Sequence, residues 1–220
     1  MTTTLKATIL AVMLAGLAGV ALATPKPAPS PAAPRTAEIG KKAPAFSLTD
    51  IEGTQHALKD HTGKIVVIEW FNAGCPYSGK ASPKSVHASG RAAALRKQLR
   101  AIDPTVVYLL IDSTARRAEK SDIITADKAA RKQWKIDAPI LIDFDGAVGH
   151  AYKAQTTPHM FVIDSDGVLR YQGAFDNDKP NTQGDAATNH VLAAVKKIKA
   201  GENPSPSKTR AWGCGVKYGT

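Results

Sequence analysis

Residues 69–80, EWFNAGCPYSGK, place Cys75 directly before a proline, with an apolar run leading in and small or polar residues leading out. A thiol does its chemistry as thiolate. Pro76 suits the first position of a helix, because its missing N–H needs no partner there. The free amides and dipole of a helix start stabilise negative charge, so this layout predicts an acidified, nucleophilic cysteine. The bland alternative is a buried, inert thiol. A dithiol motif would carry a second cysteine in the same turn. Here Ser78 stands three residues on and Asn72 three residues before. The chain has two cysteines, and the other is Cys214, in GCGVKY.

Other residues could share the chemistry. Glu69 lies on the run KIVVIEW, and a carboxylate on a buried strand should have a raised pKa useful for proton transfer; alternatively it faces outward. Trp70 reads as packing. The six histidines (56, 61, 87, 150, 159 and 190) show no metal-ligand spacing, so no metal and no cofactor are expected. Asp164 and Asp166, in DSDG, read as turn formers. The net charge of +10 comes without a nucleic-acid motif, and its lysines are scattered. It reads as solubility, with no nucleic-acid partner.

Residues 1–23 read as a signal peptide: Lys6, an apolar run, and Ala21-Leu22-Ala23 before the cut. Cleavage after Ala23 leaves a periplasmic or secreted protein with no stable membrane insertion. Residues 24–37 are a Pro/Ala-rich tether, residues 38–200 a folded domain, and residues 201–220 a tail carrying Cys214. Export places both cysteines where a disulfide persists. KIVVIEW and VVYLLID (106–112) are continuous apolar runs, as in strands covered on both faces. A helix is expected from Pro76, broken near Gly79 and Pro83, with Leu95, Leu99 and Ile102 on its later apolar stripe. A second is expected from a Ser121 cap through Trp134, and a last from about Asp185 to Ala200. PILID (139–143) is a short strand or a strand-like turn. HMFVID and VLRYQG form an antiparallel hairpin, and residues 39–58 add an extended segment and a small hairpin. This order predicts an α/β domain with a central mixed sheet flanked by helices, the thioredoxin arrangement.

VVIEWFNAGCPYSGK, SGRAAALRKQL, TTPHMFVIDSDGVLRYQGAFDND and GCGVKY together resemble the redoxin, or peroxiredoxin-like, branch of the thioredoxin superfamily, also called alkyl hydroperoxide reductase/thiol-specific antioxidant. The likeness covers about residues 38–218. It implies a thioredoxin fold, a nucleophile at Cys75, and a cis proline at Pro158 that presents the backbone of Thr157 to an extended partner. Glu69 then matches a buried proton-shuttling acid, and His159 the lip of the groove. Thr157, Pro158, Pro76 and Asn72 become the substrate-binding set. Asn72 stands where peroxidases usually carry threonine, which sets peroxidase activity behind disulfide exchange. Three relations between Cys75 and Cys214 stay open. Cys214 resolves Cys75; or the two form a static bridge, nominally worth about 4–5 kcal/mol; or they never meet. Trp212 and Tyr218 could dock the mobile-looking tail. The expected activity is thiol-disulfide exchange with a disulfide-bearing protein, drawing on an external thiol donor. The alternatives are a thiol peroxidase acting on hydroperoxide and a redox-silent binding module.

Overall fold

The chain, in a computed structural model, is described over residues 36–219, all within one unit, Ala32–Thr220. The expected signal peptide and most of the tether lie outside the described residues. The elements run β1 (Ser47–Asp50), β2 (Gln55–Ala57), β3 (Val66–Trp70), α1 (Arg91–Ile102), β4 (Val107–Asp112), α2 (Lys120–Gln133) and β5 (Ile140–Ile142). They continue as α3 (Ala147–Tyr152), β6 (Thr156–Thr157), β7 (Met160–Ile163), β8 (Leu169–Gly173), α4 (His190–Lys199) and β9 (Cys214–Gly215). Seven strands form one sheet in the order β2-β1-β5-β4-β3-β7-β8, and β6 pairs with β9 apart from it. Strands β3, β4 and β5 are parallel, while β7 and β8 return antiparallel. This is the expected thioredoxin arrangement.

All five residues of β3 are buried because the strand is central and covered on both faces. Val66, Ile68 and Trp70 pack with Leu109, Ile111, Tyr152 and Phe161 on one face. Val67 and Phe71 pack on the other with Leu95, Leu99, Leu110 and Val191, under α1 and α4. A slip of one residue would exchange the two sets, so the register that delivers Cys75 to the strand's exit is strongly specified.

Glu69 is a charged member of that buried strand. It is 0% exposed, accepts from His87 Nε2 at 2.9 Å and from the Tyr108 hydroxyl at 2.7 Å. Arg96 lies 5.6 Å over the Tyr108 ring and is anchored to Asp137 at 2.6 Å. Burial alone would raise the Glu69 carboxyl. The adjoining His87, its hydrogen bond, that of Tyr108 and the Arg96 charge outweigh burial and hold it below its ordinary value. The expectation of a raised proton-transfer acid is therefore overturned, and so is that of an outward residue. The partners that reverse the shift come from other segments.

Three helix starts also differ from expectation. No helix follows Pro76. The chain makes turns as far as Gly90, and α1 begins at Arg91. Gly79 folds back against Ala73, where a Cβ would lie 2.6 Å from the Ala73 Cα, and a helix leaving Cys75 would break that contact. Ser82 and Ser85 then bond to nearby backbone instead of supporting a helical ladder. Helix α2 starts at Lys120, with Glu119 and not Ser121 before it. Helix α4 starts at His190, where Asn189 Oδ1 accepts from the Leu192 amide at 2.9 Å. Asp185 falls instead in a short 3-10 turn. The β7–β8 hairpin keeps its expected turn chemistry: Asp164 Oδ1 accepts from the amides of Asp166 and Val168 at 3.0 and 2.9 Å.

Glu69→Gln should destabilise the fold by about 3 kcal/mol, because it breaks a fully buried pair. The folded value of Glu69 is depressed, so this stability is present above the ordinary carboxylate value and lost as pH falls through the folded one. Denaturant titrations should show the gap to wild type closing in acid. The pH profile of Cys75 alkylation should stay unchanged, whereas a proton-shuttling Glu69 would move it.

Candidate functional site

The end of β3 opens into a closed loop that holds Cys75. The Asn72 carbonyl accepts from the amides of Cys75 (3.2 Å) and Gly79 (3.0 Å), and the Cys75 carbonyl accepts from Ser78 and Lys80, both at 3.0 Å. Cys75 is 4% exposed. Its thiol donates to the Thr157 carbonyl at 3.1 Å, and the Tyr77 amide points at Sγ from 3.4 Å. The donor facing the sulfur is thus a turn amide two residues on, in place of the expected helix terminus. Pro76 sits half-buried between them.

Thr157 precedes a cis peptide to Pro158, as the resemblance implied. Its strand β6 is paired antiparallel by the chain's own tail, with Thr157 opposite Cys214 and Thr156 opposite Gly215. The tail reaches this position along a series of bonds. Thr209 bonds Gln172 at 3.1 Å and Tyr171 at 2.6 Å, and Trp212 Nε1 donates to the Asp176 carbonyl at 2.7 Å. Beyond the cysteine, the Val216 amide donates to Gln155 at 3.0 Å, and Lys217 accepts from Ala115 and Arg116. Tyr218 stacks on His150 at 4.2 Å and donates to Ala154 at 2.8 Å. The tail is docked along its length, by Trp212 and Tyr218 as the sequence suggested. Gly213 makes the close approach possible. It adopts φ +138°, and a Cβ there would lie 2.2 Å from the Thr157 oxygen.

The two thiols are consequently neighbours. Burial first, and then the hydrogen-bonded Cys75 beside it, push the Cys214 thiol up to about 11, against the opposing charges of Lys217 and Lys179. Cys214 is the half-exposed member and Cys75 the buried one.

The other expected site residues fall differently. Asn72 is near Cys75, yet its amide is used inside the protein: Oδ1 accepts from Gly74 at 2.7 Å and Nδ2 donates to Thr114 Oγ1 at 2.5 Å. It braces the loop. His159, expected at the groove lip, is buried, and its Nδ1 accepts from Gln155 at 3.2 Å. Burial and Lys208 lower it to about 4. Trp70 packs, its Nε1 donating to Ser113 at 3.0 Å. Among the described residues no group of three or more His, Cys, Asp or Glu is placed to hold a metal.

Sequence reasoning missed Tyr77, Thr114 and the pairing of β6 with β9. The glycines on either side of Cys214 were the available signal for that pairing. It also missed a buried acid pair. Asp112, at the end of β4, and Asp127, on α2, are 2% and 0% exposed, and the Asp127 carboxyl has no hydrogen-bond partner other than Asp112. Burial raises both, Asp127 further through the charge of Asp112. Asp112 also accepts from the Thr114 amide at 2.6 Å, which ties the pair to the Asn72 loop.

Comparison with known proteins places the chain in a family and a fold. The model of the AhpC/TSA family matches residues 39–172. Thiol-disulfide oxidoreductase ResA of Bacillus thuringiensis subsp. konkukian is 31% identical over 130 residues, which are 59% of this chain and 66% of that one. The chain thus spans slightly under two thirds of the length of that relative. A hypothetical protein of Sinorhizobium meliloti 1021 superposes with TM-score 0.68 at 22% identity, over 85% of this chain and 98% of that one. An uncharacterized conserved protein of Geobacillus kaustophilus gives 0.65 at 25%, over 83% and 93%.

Gly213→Val should undock the tail, because no side chain fits between it and Thr157. Cys75 alkylation should then accelerate at least about tenfold, since opening governs access to a buried group. Mass spectrometry of the labelled peptides checks this, and an unchanged rate would refute the docking. Asp127→Asn tests the acid pair. Raised folded values mean that its stability is complete below the ordinary value and lost as pH rises through the folded one. Melting curves between about pH 5 and pH 8 should therefore show Asn gaining on wild type as pH rises.

Proposed function

The chain belongs to the AhpC/TSA family, and from that footing we propose that it is an exported thiol-disulfide oxidoreductase in which Cys75 attacks and Cys214 resolves. One observation carries the reading. Cys214 is paired opposite Thr157, whose carbonyl accepts from the Cys75 thiol at 3.1 Å, and the Cys214 thiol interacts directly with Cys75.

The chemistry follows from thiol exchange. With the tail lifted, the Cys75 thiolate attacks one sulfur of a substrate disulfide, an S–S bond forms, and the other substrate sulfur leaves with its electron pair and takes a proton. The Tyr77 amide offers Cys75 Sγ a donor while it carries charge. Once Cys75 is bound in the mixed disulfide it no longer bears charge or a proton, and one cause of the raised Cys214 value disappears. Cys214 then loses its proton, attacks Cys75 Sγ and expels the second substrate thiol. The protein ends with a 75–214 disulfide and the substrate gains two electrons. An external thiol reverses the cycle by the same exchange.

The leader and tether support export, and among the described residues no helix is long and apolar enough to cross a membrane. Attack on a hydroperoxide is the weaker reading, since Asn72 stands where peroxidases usually carry threonine and its side chain bonds Gly74 and Thr114. A redox-silent module gains no support from two thiols held face to face.

Oxidised wild type should yield a 75–214 linked peptide in a non-reducing map. Cys75→Ser should abolish disulfide reduction, and Cys214→Ser should accumulate the mixed disulfide with slow turnover. Wild type that consumes neither a model disulfide nor peroxide would end the reading.

A further inference from the structure

The segments framing the two cysteines have an uneven charge. Residues 71–84, 113–118, 155–159, 174–182 and 205–219 contain two acids, Asp176 and Asp178, and both are buried. Both are also engaged: Asp176 pairs with Arg91 at 2.8 Å, and Asp178 accepts from the amides of Thr182 and Gln183 at 2.9 and 2.7 Å. The cations of the same segments are exposed, among them Lys80, Lys84, Arg116, Arg117, Lys179 and Lys217.

Several of these stand directly at the thiols. Tyr77, whose amide faces Cys75 Sγ, carries Lys179 Nζ 5.0 Å and Lys84 Nζ 6.0 Å from its ring centre. The Tyr77 ring meets Trp212 edge-on at 6.3 Å, which closes one side of the site. Lys217 and Lys179 both act on the half-exposed Cys214, and Lys217 is joined through its carbonyl to the amide of Arg116. A disulfide approaching Cys75 meets the lysines around Tyr77 and Cys214, while the acids of these same segments, Asp176 and Asp178, are buried and engaged. Same-sign charge around a cleft raises the local concentration and capture rate of oppositely charged ligands.

We propose that the substrates of this site are disulfides flanked by carboxylates, with Lys179 and Lys217 as the specificity-determining residues. This rests on the oxidoreductase reading and narrows its substrate class. The step is the exchange already balanced: two electrons pass from the Cys75–Cys214 dithiol to the anionic disulfide, and two carboxylate-bearing thiols leave. The site's cations stabilise the approach and also the negative charge on the first departing sulfur.

Three small disulfides of matched size test it with full-length protein kept reduced by a thiol donor: dithiodipropionate (anionic), hydroxyethyl disulfide (neutral) and cystamine (cationic). Each rate is normalised to that disulfide's reaction with the free thiol. At about 10 mM ionic strength the anionic substrate should have a kcat/KM at least about tenfold above the cationic one, and near 1 M the difference should shrink severalfold. Lys179→Glu combined with Lys217→Glu should invert the order. Lys59→Glu, at the opposite end of β3 beside Lys64 and Val66, should keep it. A peptide disulfide flanked by glutamates separates protein from small-molecule sources; preference for it over the small anion assigns the class to acidic polypeptides, and the reverse to small anions. Equal rates for the three disulfides at low salt, or an order the double variant leaves unchanged, would overturn the proposal while the oxidoreductase reading stands. No reduction of any of them would overturn both.

Discussion

The structure depends on one backbone pairing. Strand β6 is two residues long, and the strand laid against it is the chain's own, with Thr157 opposite Cys214. The Thr157 carbonyl also accepts a hydrogen bond from the Cys75 thiol, so one residue joins the segments of both cysteines. Gly213 is the condition for this contact, because at φ +138° and so near the Thr157 oxygen no side chain could stand. The tail from Thr209 to Tyr218 is bonded in turn to β8, the Asp176 segment, Gln155, Ala115 and Ala154, and these bonds hold the pairing in register.

The arrangement also orders the two thiols in time. Cys214 is held protonated while Cys75 stands free beside it, since burial and the neighbouring sulfur both oppose its ionisation. Consuming Cys75 removes one of those opposing causes. The buried carboxylates behind the site play separate parts. Glu69 is ionised and locked between His87 and Tyr108. Asp112 and Asp127 face each other as an acid pair that burial keeps protonated to higher pH. Glu69 is thus tied into the buried network at the strand that delivers Cys75.

Most of the sheet was legible because central strands are continuous apolar runs whose two faces alternate, as Val66 to Trp70 do. The Asp164 turn was legible because its chemistry is local. The turns after Cys75 were not. Pro76 is compatible with a helix start, and only the contact of Gly79 with Ala73 decides against it. The sign of the Glu69 shift was hidden for the same reason, since His87 and Tyr108 arrive from distant segments. Cys75 itself was found from its place at a strand exit. Its meeting with Cys214 could be raised from the sequence as one of three relations but not chosen, because 139 residues separate them and the pairing rests on a two-residue strand with no apolar pattern of its own. The bond from Asn72 to Thr114 was not visible either, because Thr114 arrives from a distant segment.

The most direct test of the account is the ionisation of Cys214 in the presence and absence of Cys75, read from the pH dependence of residue-specific alkylation in the reduced protein. The paired geometry predicts that Cys214 titrates near 11 in wild type and distinctly lower in Cys75→Ser. Identical titration of Cys214 in the two proteins would mean that the sulfurs do not face each other, and would contradict it.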